Sequence, residues 1–151
     1  MKKALTAILA ATLCLTSCSA PPRMPATVEQ FQAAAQGLGW DTVDLTPSYV
    51  EELYVAAVIM ATKTLGEVDF FVLISDEFAL EVYQANLENL QLLATGKATR
   101  GADHDENYKR YWVKTEKDYW TVILFGETVL FGHVPLNYTE DLDNLIEKLA
   151  Y

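Results

Sequence analysis

Short turns between apolar, β-rich segments constrain the fold of this chain more than any other feature. Residues 107–115, 119–125 and 128–134 are rich in aromatic and β-branched side chains, and only two or three residues separate each segment from the next. Parallel strands need a crossover of about a dozen residues or more, whereas antiparallel strands can be joined by a two-residue turn. We therefore expect these three segments to form an antiparallel meander.

A second pair of strands is predicted earlier in the chain. Residues 53–64 are apolar through Ala61, and residues 68–74 form another apolar run after Gly66 and Glu67. A buried helix is the alternative for the first of these segments. We favour a strand that is covered on both faces, because glycine at the first central position suits a two-residue hairpin turn.

Helical periodicity predicts three helices around these strands. The first begins at a capping box formed by Thr27 and Gln30, and the second begins at Ser75 with acidic residues at its positive end. The third has apolar residues at helical spacing near the end of the chain, at Leu142, Leu145, Ile146 and Leu149.

Two further segments complete the expected order. Residues 40–45 alternate between apolar and polar side chains and predict a half-buried strand, whereas the polar, glycine-containing residues 95–106 predict a mobile loop. The fold class is therefore α+β, with a mainly antiparallel sheet of about five to six strands and helices packed on one face. The expected order of elements is α-β-β-β-α-β-β-β-α.

The beginning of the chain has the layout of an export signal. Lys2 and Lys3 are followed by thirteen residues without a charge, residues 4–16. This apolar run is shorter than the ~20 residues of a membrane-spanning helix and has the length of the apolar part of a signal peptide. The sequence thus indicates export from the cytoplasm.

The end of this signal resembles the bacterial lipobox. Residues 15–18 read Leu-Thr-Ser-Cys, an aliphatic residue and two small residues before a cysteine. The resemblance implies that residues 1–17 are removed, that Cys18 carries fatty acyl chains such as palmitate, and that the protein is a lipoprotein on the extracytoplasmic face of the cell membrane. Cleavage by an ordinary signal peptidase after Ala20 is the alternative, because the residues before that position are also small.

Removal of the signal would leave a tether and one domain. Residues 18–26 contain three prolines and predict an extended tether, and residues 27–151 are long enough for a single α+β domain with a core. Cys14 would leave with the signal, so Cys18 would be the only cysteine of the mature chain. This pattern excludes disulfide bonds, thiol catalysis and zinc–thiolate sites.

The charge balance argues against nucleic acid as a partner. Loss of Lys2 and Lys3 lowers the basic residues from 11 to nine, against 21 acidic residues, which gives the mature chain a net charge of −12. A domain this acidic repels phosphate backbones. No cofactor motif is present, and we predict no cofactor.

The domain is also similar to a group of uncharacterised small bacterial lipoproteins. In that group a capped helix leads into a Gly-aromatic-x-Val-x-Asp strand and a hairpin, and a short final helix ends in tyrosine. Here residues 39–44 read Gly-Trp-Asp-Thr-Val-Asp, and residues 149–151 read Leu-Ala-Tyr. The resemblance supports the fold, and the group has no established activity that it could imply for this chain.

Few residues of the sequence are candidates for catalysis or metal binding. The serines of the folded part, Ser48 and Ser75, suit a turn and a helix cap rather than a nucleophile. His104 lies among carboxylates that could hold Ca²⁺, but the spacing is not that of an EF-hand and a solvated charged loop is the simpler interpretation. We predict neither catalytic residues nor a metal site.

Aromatic side chains are dense between residues 108 and 138, where strand alternation sends Tyr111 and Trp112 to opposite faces of the sheet. An exposed aromatic patch would mark a binding surface, so we select Trp112, Tyr111 and His133 as candidate ligand-binding residues. Core packing of these aromatic residues is the alternative interpretation.

The sequence thus predicts a non-catalytic binding domain, held at the membrane by its lipid, whose partner is an envelope protein, a peptide or a glycan. The sheet or residues 95–106 would bind that partner. An envelope hydrolase that uses carboxylates or His133 is the second hypothesis, and a structural or assembly role is the third.

Overall fold

Three α-helices and seven β-strands form the part of the chain that the computed structural model describes, residues 24–151. The helices are α1 (Val28–Gly37), α2 (Asp76–Leu93) and α3 (Thr139–Lys148). The strands are β1 (Asp41–Asp44), β2 (Val55–Lys63), β3 (Gly66–Leu73), β4 (Thr99–Asp105), β5 (Tyr108–Lys114), β6 (Asp118–Phe125) and β7 (Thr128–Pro135). The predicted signal peptide, Cys18 and most of the predicted tether lie outside the described residues.

All seven strands belong to one antiparallel sheet in the order β1-β2-β3-β7-β6-β5-β4. Two meanders, β1 to β3 and β4 to β7, meet where β3 pairs with β7 in the centre of the sheet. This confirms the α+β class and the antiparallel sheet predicted from the short turns. The sheet has seven strands rather than five to six.

The additional strand is β4, and the prediction of a loop over residues 95–106 is wrong for this part of the chain. β4 pairs with β5 along its whole length, from Thr99 opposite Lys114 to Asp105 opposite Tyr108. Nearly all of its side chains are exposed because it is an edge strand, and edge strands commonly carry charged residues. The order of elements is therefore α-β-β-β-α-β-β-β-β-α.

The helices pack on both faces of the sheet, which corrects the prediction that they pack on one. On β6, Tyr119 and Ile123 belong to a buried cluster with residues of α1 and α3, whereas Val122 and Leu124 belong to a second cluster with residues of α2. Successive side chains of a strand point to opposite faces. α1 and α3 thus cover one face, and α2 covers part of the other.

The two predicted hairpins exist, but one turn is displaced. The turn between β6 and β7 consists of Gly126 and Glu127, as predicted. Between β2 and β3 the turn consists of Thr64 and Leu65, and Thr64 takes the positive φ of 56°. Gly66 instead begins β3, where a Cβ atom would lie 2.7 Å from the side chain of Val134. Close packing, rather than turn geometry, explains this glycine.

The last residue of the chain joins both ends of the domain. The Tyr151 hydroxyl accepts a hydrogen bond from the backbone N–H of Ala26 at 3.0 Å and shares another with Thr128 Oγ1 at 2.7 Å. Ala26 and Tyr151 are both buried. Ala26, which the sequence assigned to the tether, is therefore packed into the domain.

Candidate functional site

Helix α2 leaves part of the sheet face on which it packs exposed. It begins at Asp76, close to Gly126 at one end of the sheet, and ends at Leu93, which lines a cavity together with Asp118 at the opposite end. The helix therefore runs from one end of the strands to the other, and it packs on the second buried cluster through Tyr83 and Leu90. Sheet residues beside this helix remain partly exposed.

Five partly exposed residues on this face form what we call the open sheet surface: Met60, Asp69, Trp120, Phe131 and His133. Met60 lies opposite Asp69, Asp69 lies opposite Phe131, and Trp120 lies opposite His133 on adjacent strands. Directly opposed residues of neighbouring antiparallel strands share a face and lie about 4.5–5.5 Å apart at their Cβ atoms. Strands β2, β3, β7 and β6 thus place these side chains together.

Stacking and hydrogen bonding fix the His133 ring. It stacks on Trp120 with the ring centroids 3.7 Å apart and the planes inclined by 15°. Its Nε2 atom lies 3.1 Å from the Asp118 carboxylate, and 28% of the His133 side chain is exposed. Phe131 lies beside the stack at 6.1 Å from the Trp120 ring. The result is a preformed aromatic surface with one polar edge.

Asp69 is the unusual member of this surface. Its two cross-strand neighbours, Met60 and Phe131, are apolar, and its carboxylate has no hydrogen-bond partner among residues 24–151. Burial, together with the nearby charge of Glu67, raises the pKa of Asp69 to about 6. The carboxylate is thus kept partly dehydrated without a compensating cation.

The surroundings of Asp69 are acidic. β3, β6 and β7 contain no lysine or arginine. The one basic residue of β2, Lys63, bonds to Asp141 of α3 at 2.8 Å on the opposite face. Glu67 and Asp118 add two carboxylates to the margin of the open sheet surface, which therefore carries a negative field.

The three candidate residues chosen from the sequence do not form one site. His133 belongs to the open sheet surface. Tyr111 lies on the same face, separated from Phe131 by Val122, and packs against the core cluster beneath α2, as Trp120 and Phe131 also do. Trp112 lies on the opposite face, where its indole covers Gly101 of β4 and Lys114 Nζ lies 5.7 Å from its ring centroid. The predicted opposite orientation of Tyr111 and Trp112 is confirmed, and it separates them.

Trp112 lies near a second polar group on the face covered by α3. Arg110 donates to the Tyr119 hydroxyl at 2.6 Å and to Asp143 at 3.0 Å, and Tyr119 donates to Asp143 at 3.1 Å. Burial raises the pKa of Tyr119 to about 12. These hydrogen bonds tie β5 and β6 to α3 and support a structural role, although the buried Nε of Arg110 has no hydrogen-bond partner among the described residues.

Asp69, Trp120 and Phe131 were not selected from the sequence. One signal was available for Asp69, because it is the only charge within the otherwise apolar residues 68–74. A charge in such a run indicates either an exposed position or a buried group that needs a partner. The pairing of Trp120 with His133 could not be found in this way, since it depends on the register of β6 and β7.

The His133–Asp118 pair is the arrangement within the described residues that comes nearest to a catalytic group. An imidazole held by a carboxylate can act as a general base when a nucleophile lies within reach. Within residues 24–151 the only hydrogen bond recorded for His133 is the one with Asp118. Ser75 caps α2 instead, accepting a hydrogen bond from Phe78 N.

Comparisons of the chain with protein-family models, with curated proteins and with solved structures gave no match. In the described part of the chain, no group of three or more histidine, cysteine, aspartate or glutamate side chains is arranged to hold a metal ion. None of the helices described here combines the length and the apolar character needed to cross a membrane.

Proposed function

We propose that this protein is a bacterial lipoprotein, anchored at Cys18 on the extracytoplasmic face of the cell membrane, whose domain binds a partner without catalysing a reaction. The open sheet surface is the observation that carries this proposal. It holds Trp120 and Phe131 partly exposed beside a carboxylate without a partner. Aromatic residues are enriched at binding interfaces, and a preformed surface binds at a lower entropic cost.

The attachment of the tether supports this proposal. The chain leaves the domain at Ala26, and Pro25 lies against Gly126 in the turn between β6 and β7. His133 follows Thr128, at this end of β7, by five residues, which is about 17 Å along a strand. An anchored domain would therefore hold the open sheet surface away from its attachment point, toward partners in the surrounding compartment.

The anchor is tested by labelling cells with a clickable fatty acid and comparing the wild type with Cys18→Ala. We expect label on the wild type and none on the variant, because alanine has no thiol that could be acylated at position 18. Equal labelling of both proteins would refute lipidation at Cys18.

The binding surface is tested with a matched pair of tryptophan variants. Trp120 and Trp112 are both partly exposed strand residues, but they lie on opposite faces of the sheet. We expect Trp120→Ala to abolish co-purification of an envelope partner after mild cross-linking, and Trp112→Ala to retain it. Circular dichroism and thermal unfolding of both variants would verify that each is folded. Loss of the partner with Trp112→Ala alone would contradict the assignment.

An envelope hydrolase is the second candidate, and the 3.1 Å contact between His133 and Asp118 is the observation that favours it. His133 would act as a general base on water, with Asp118 orienting its ring. Ester, peptide and glycoside substrates should then be hydrolysed by the wild type, and His133→Gln should abolish turnover. Equal rates for the two proteins would exclude this role for His133.

A further inference from the structure

We propose that the open sheet surface binds a lysine or arginine side chain of an extended basic segment in a partner polypeptide, with Asp69 as its ion-pair partner. This inference rests on the proposed binding function and assigns the chemical class of the ligand. The Trp120 and Phe131 rings would contact the apolar stem of the same side chain.

The unpaired Asp69 carboxylate is the first reason for this choice. Its neighbours across the sheet are Met60 and Phe131, and no cation of the described chain reaches it. Burying an unpaired carboxylate costs free energy, and a positively charged group at that position recovers part of this cost. A neutral donor would supply a hydrogen bond without an opposite charge, and an anionic group would repel the carboxylate.

The aromatic side chains are the second reason. Lysine and arginine have an apolar stem and a charged end, and both can lie over an aromatic ring. Trp120 offers the largest ring of the surface, and Phe131 lies 6.1 Å from it on the same face. The surface therefore provides apolar contact beside a carboxylate, since Phe131 lies directly opposite Asp69.

The shape and charge of the surface favour a polypeptide over a free amine. Small-molecule sites are usually concave and bury most of the ligand. Met60, Asp69, Phe131 and His133 instead lie across adjacent strands at the side of α2, so the surface can contact an extended chain. Glu67 and Asp118 lie beyond Asp69 and His133 and would attract further basic residues.

Oriented peptide libraries test this proposal directly. Four libraries of decapeptides would each fix one central residue as Lys, Arg, Gln or Glu and leave the other positions degenerate. Each library is incubated with the full-length protein, which is purified from cells and held in discs of zwitterionic lipid. Such discs do not attract basic peptides. We expect the Lys or Arg library to be retained about tenfold or more above the Gln library, with the Glu library excluded.

Two variants with the same net charge test whether the preference for basic peptides depends on Asp69. Asp69→Asn removes the unpaired carboxylate, whereas Glu88→Gln removes one from the exposed side of α2. We expect Asp69→Asn to abolish the preference for Lys or Arg over Gln, and Glu88→Gln to preserve it. Equal preference in both variants would show that net charge alone attracts the peptides, and would overturn the proposal.

Other outcomes separate this proposal from the broader one. Retention of the Gln or Glu library at least as strongly as the basic libraries, with loss on Trp120→Ala, would overturn the cationic ligand and leave the binding function standing. If the wild type retained none of the libraries, the proposal that the ligand is a basic segment would be overturned. Self-association of the chain that is lost on Trp120→Ala would likewise replace the basic segment with a second copy. Failure of the tryptophan comparison in cells would refute both proposals.

Discussion

Replacing Asp69 by asparagine is expected to stabilise the domain at neutral pH. Burial raises the pKa of Asp69 from its ordinary 3.8 to about 6, so the folded state opposes ionisation of this carboxyl group. A difference of one pKa unit corresponds to about 1.4 kcal/mol, which gives about 3 kcal/mol for a fully buried group. Because Asp69 still contacts water, screening reduces the expected gain to about 1–2 kcal/mol.

The size of this effect depends on pH. The folded state binds the Asp69 proton more tightly than the unfolded state, so this group lowers stability as the pH rises from about 4 to about 6. The carboxyl is protonated in both states only well below pH 4, but at about pH 4 most of the advantage of the asparagine variant should already be lost. Glu67 and His133 face the same surface and are present in both proteins.

Urea denaturation followed by circular dichroism at pH 7.5 and at pH 4 measures this difference. Glu88→Gln is the control, because it removes an exposed carboxylate and should change the free energy of unfolding by less than about 0.5 kcal/mol. A loss of stability in Asp69→Asn at pH 7.5, or an equal gain at both pH values, would refute the argument that Asp69 is an uncompensated charge.

Two further substitutions test the packing that positions the sheet. Tyr151→Phe should lower the free energy of unfolding by about 1–2 kcal/mol in urea titrations, because Ala26 N–H and Thr128 Oγ1 lose a buried hydrogen-bond partner. An unchanged midpoint of unfolding would show that these hydrogen bonds do not stabilise the domain. Gly101→Ala should displace the Trp112 indole, whose atoms lie 2.5 Å from the position of the new Cβ, and red-shift the tryptophan emission. Gly37→Ala, with no atom within 4 Å of the new Cβ, should leave that emission unchanged.

Much of the fold follows from local signals in the sequence. The capped start of α2 at Ser75, the two hairpins and the alternation of Tyr111 and Trp112 each depend on residues close together in the chain. β4 was missed because its polar side chains carry no apolar pattern, and its pairing with the backbone of β5 defines it. The placement of helices on both faces also depends on how the chain crosses the sheet, which periodicity does not determine.

Only part of the candidate site was predicted from the sequence, because the site also depends on contacts between residues that are distant in the chain. His133 stood out as a histidine in a strand, but Tyr111 and Trp112 were grouped with it by proximity in the sequence. The actual neighbours of His133 are Trp120, across one strand pair, and Asp118 at the start of β6. Asp69 joins the surface through the pairing of β3 with β7, which has the largest sequence separation of all the strand pairings in the sheet. Such contacts require a register that the sequence alone does not specify.

Site-specific photo-cross-linking in living cells tests the central claim most directly. A photoreactive phenylalanine derivative would replace Phe131 in one variant and Trp112 in another, since both positions are partly exposed and lie on opposite faces. If the open sheet surface binds a partner, illumination should give one discrete adduct from position 131 and none from position 112. An adduct from position 112 with none from position 131 would contradict this account.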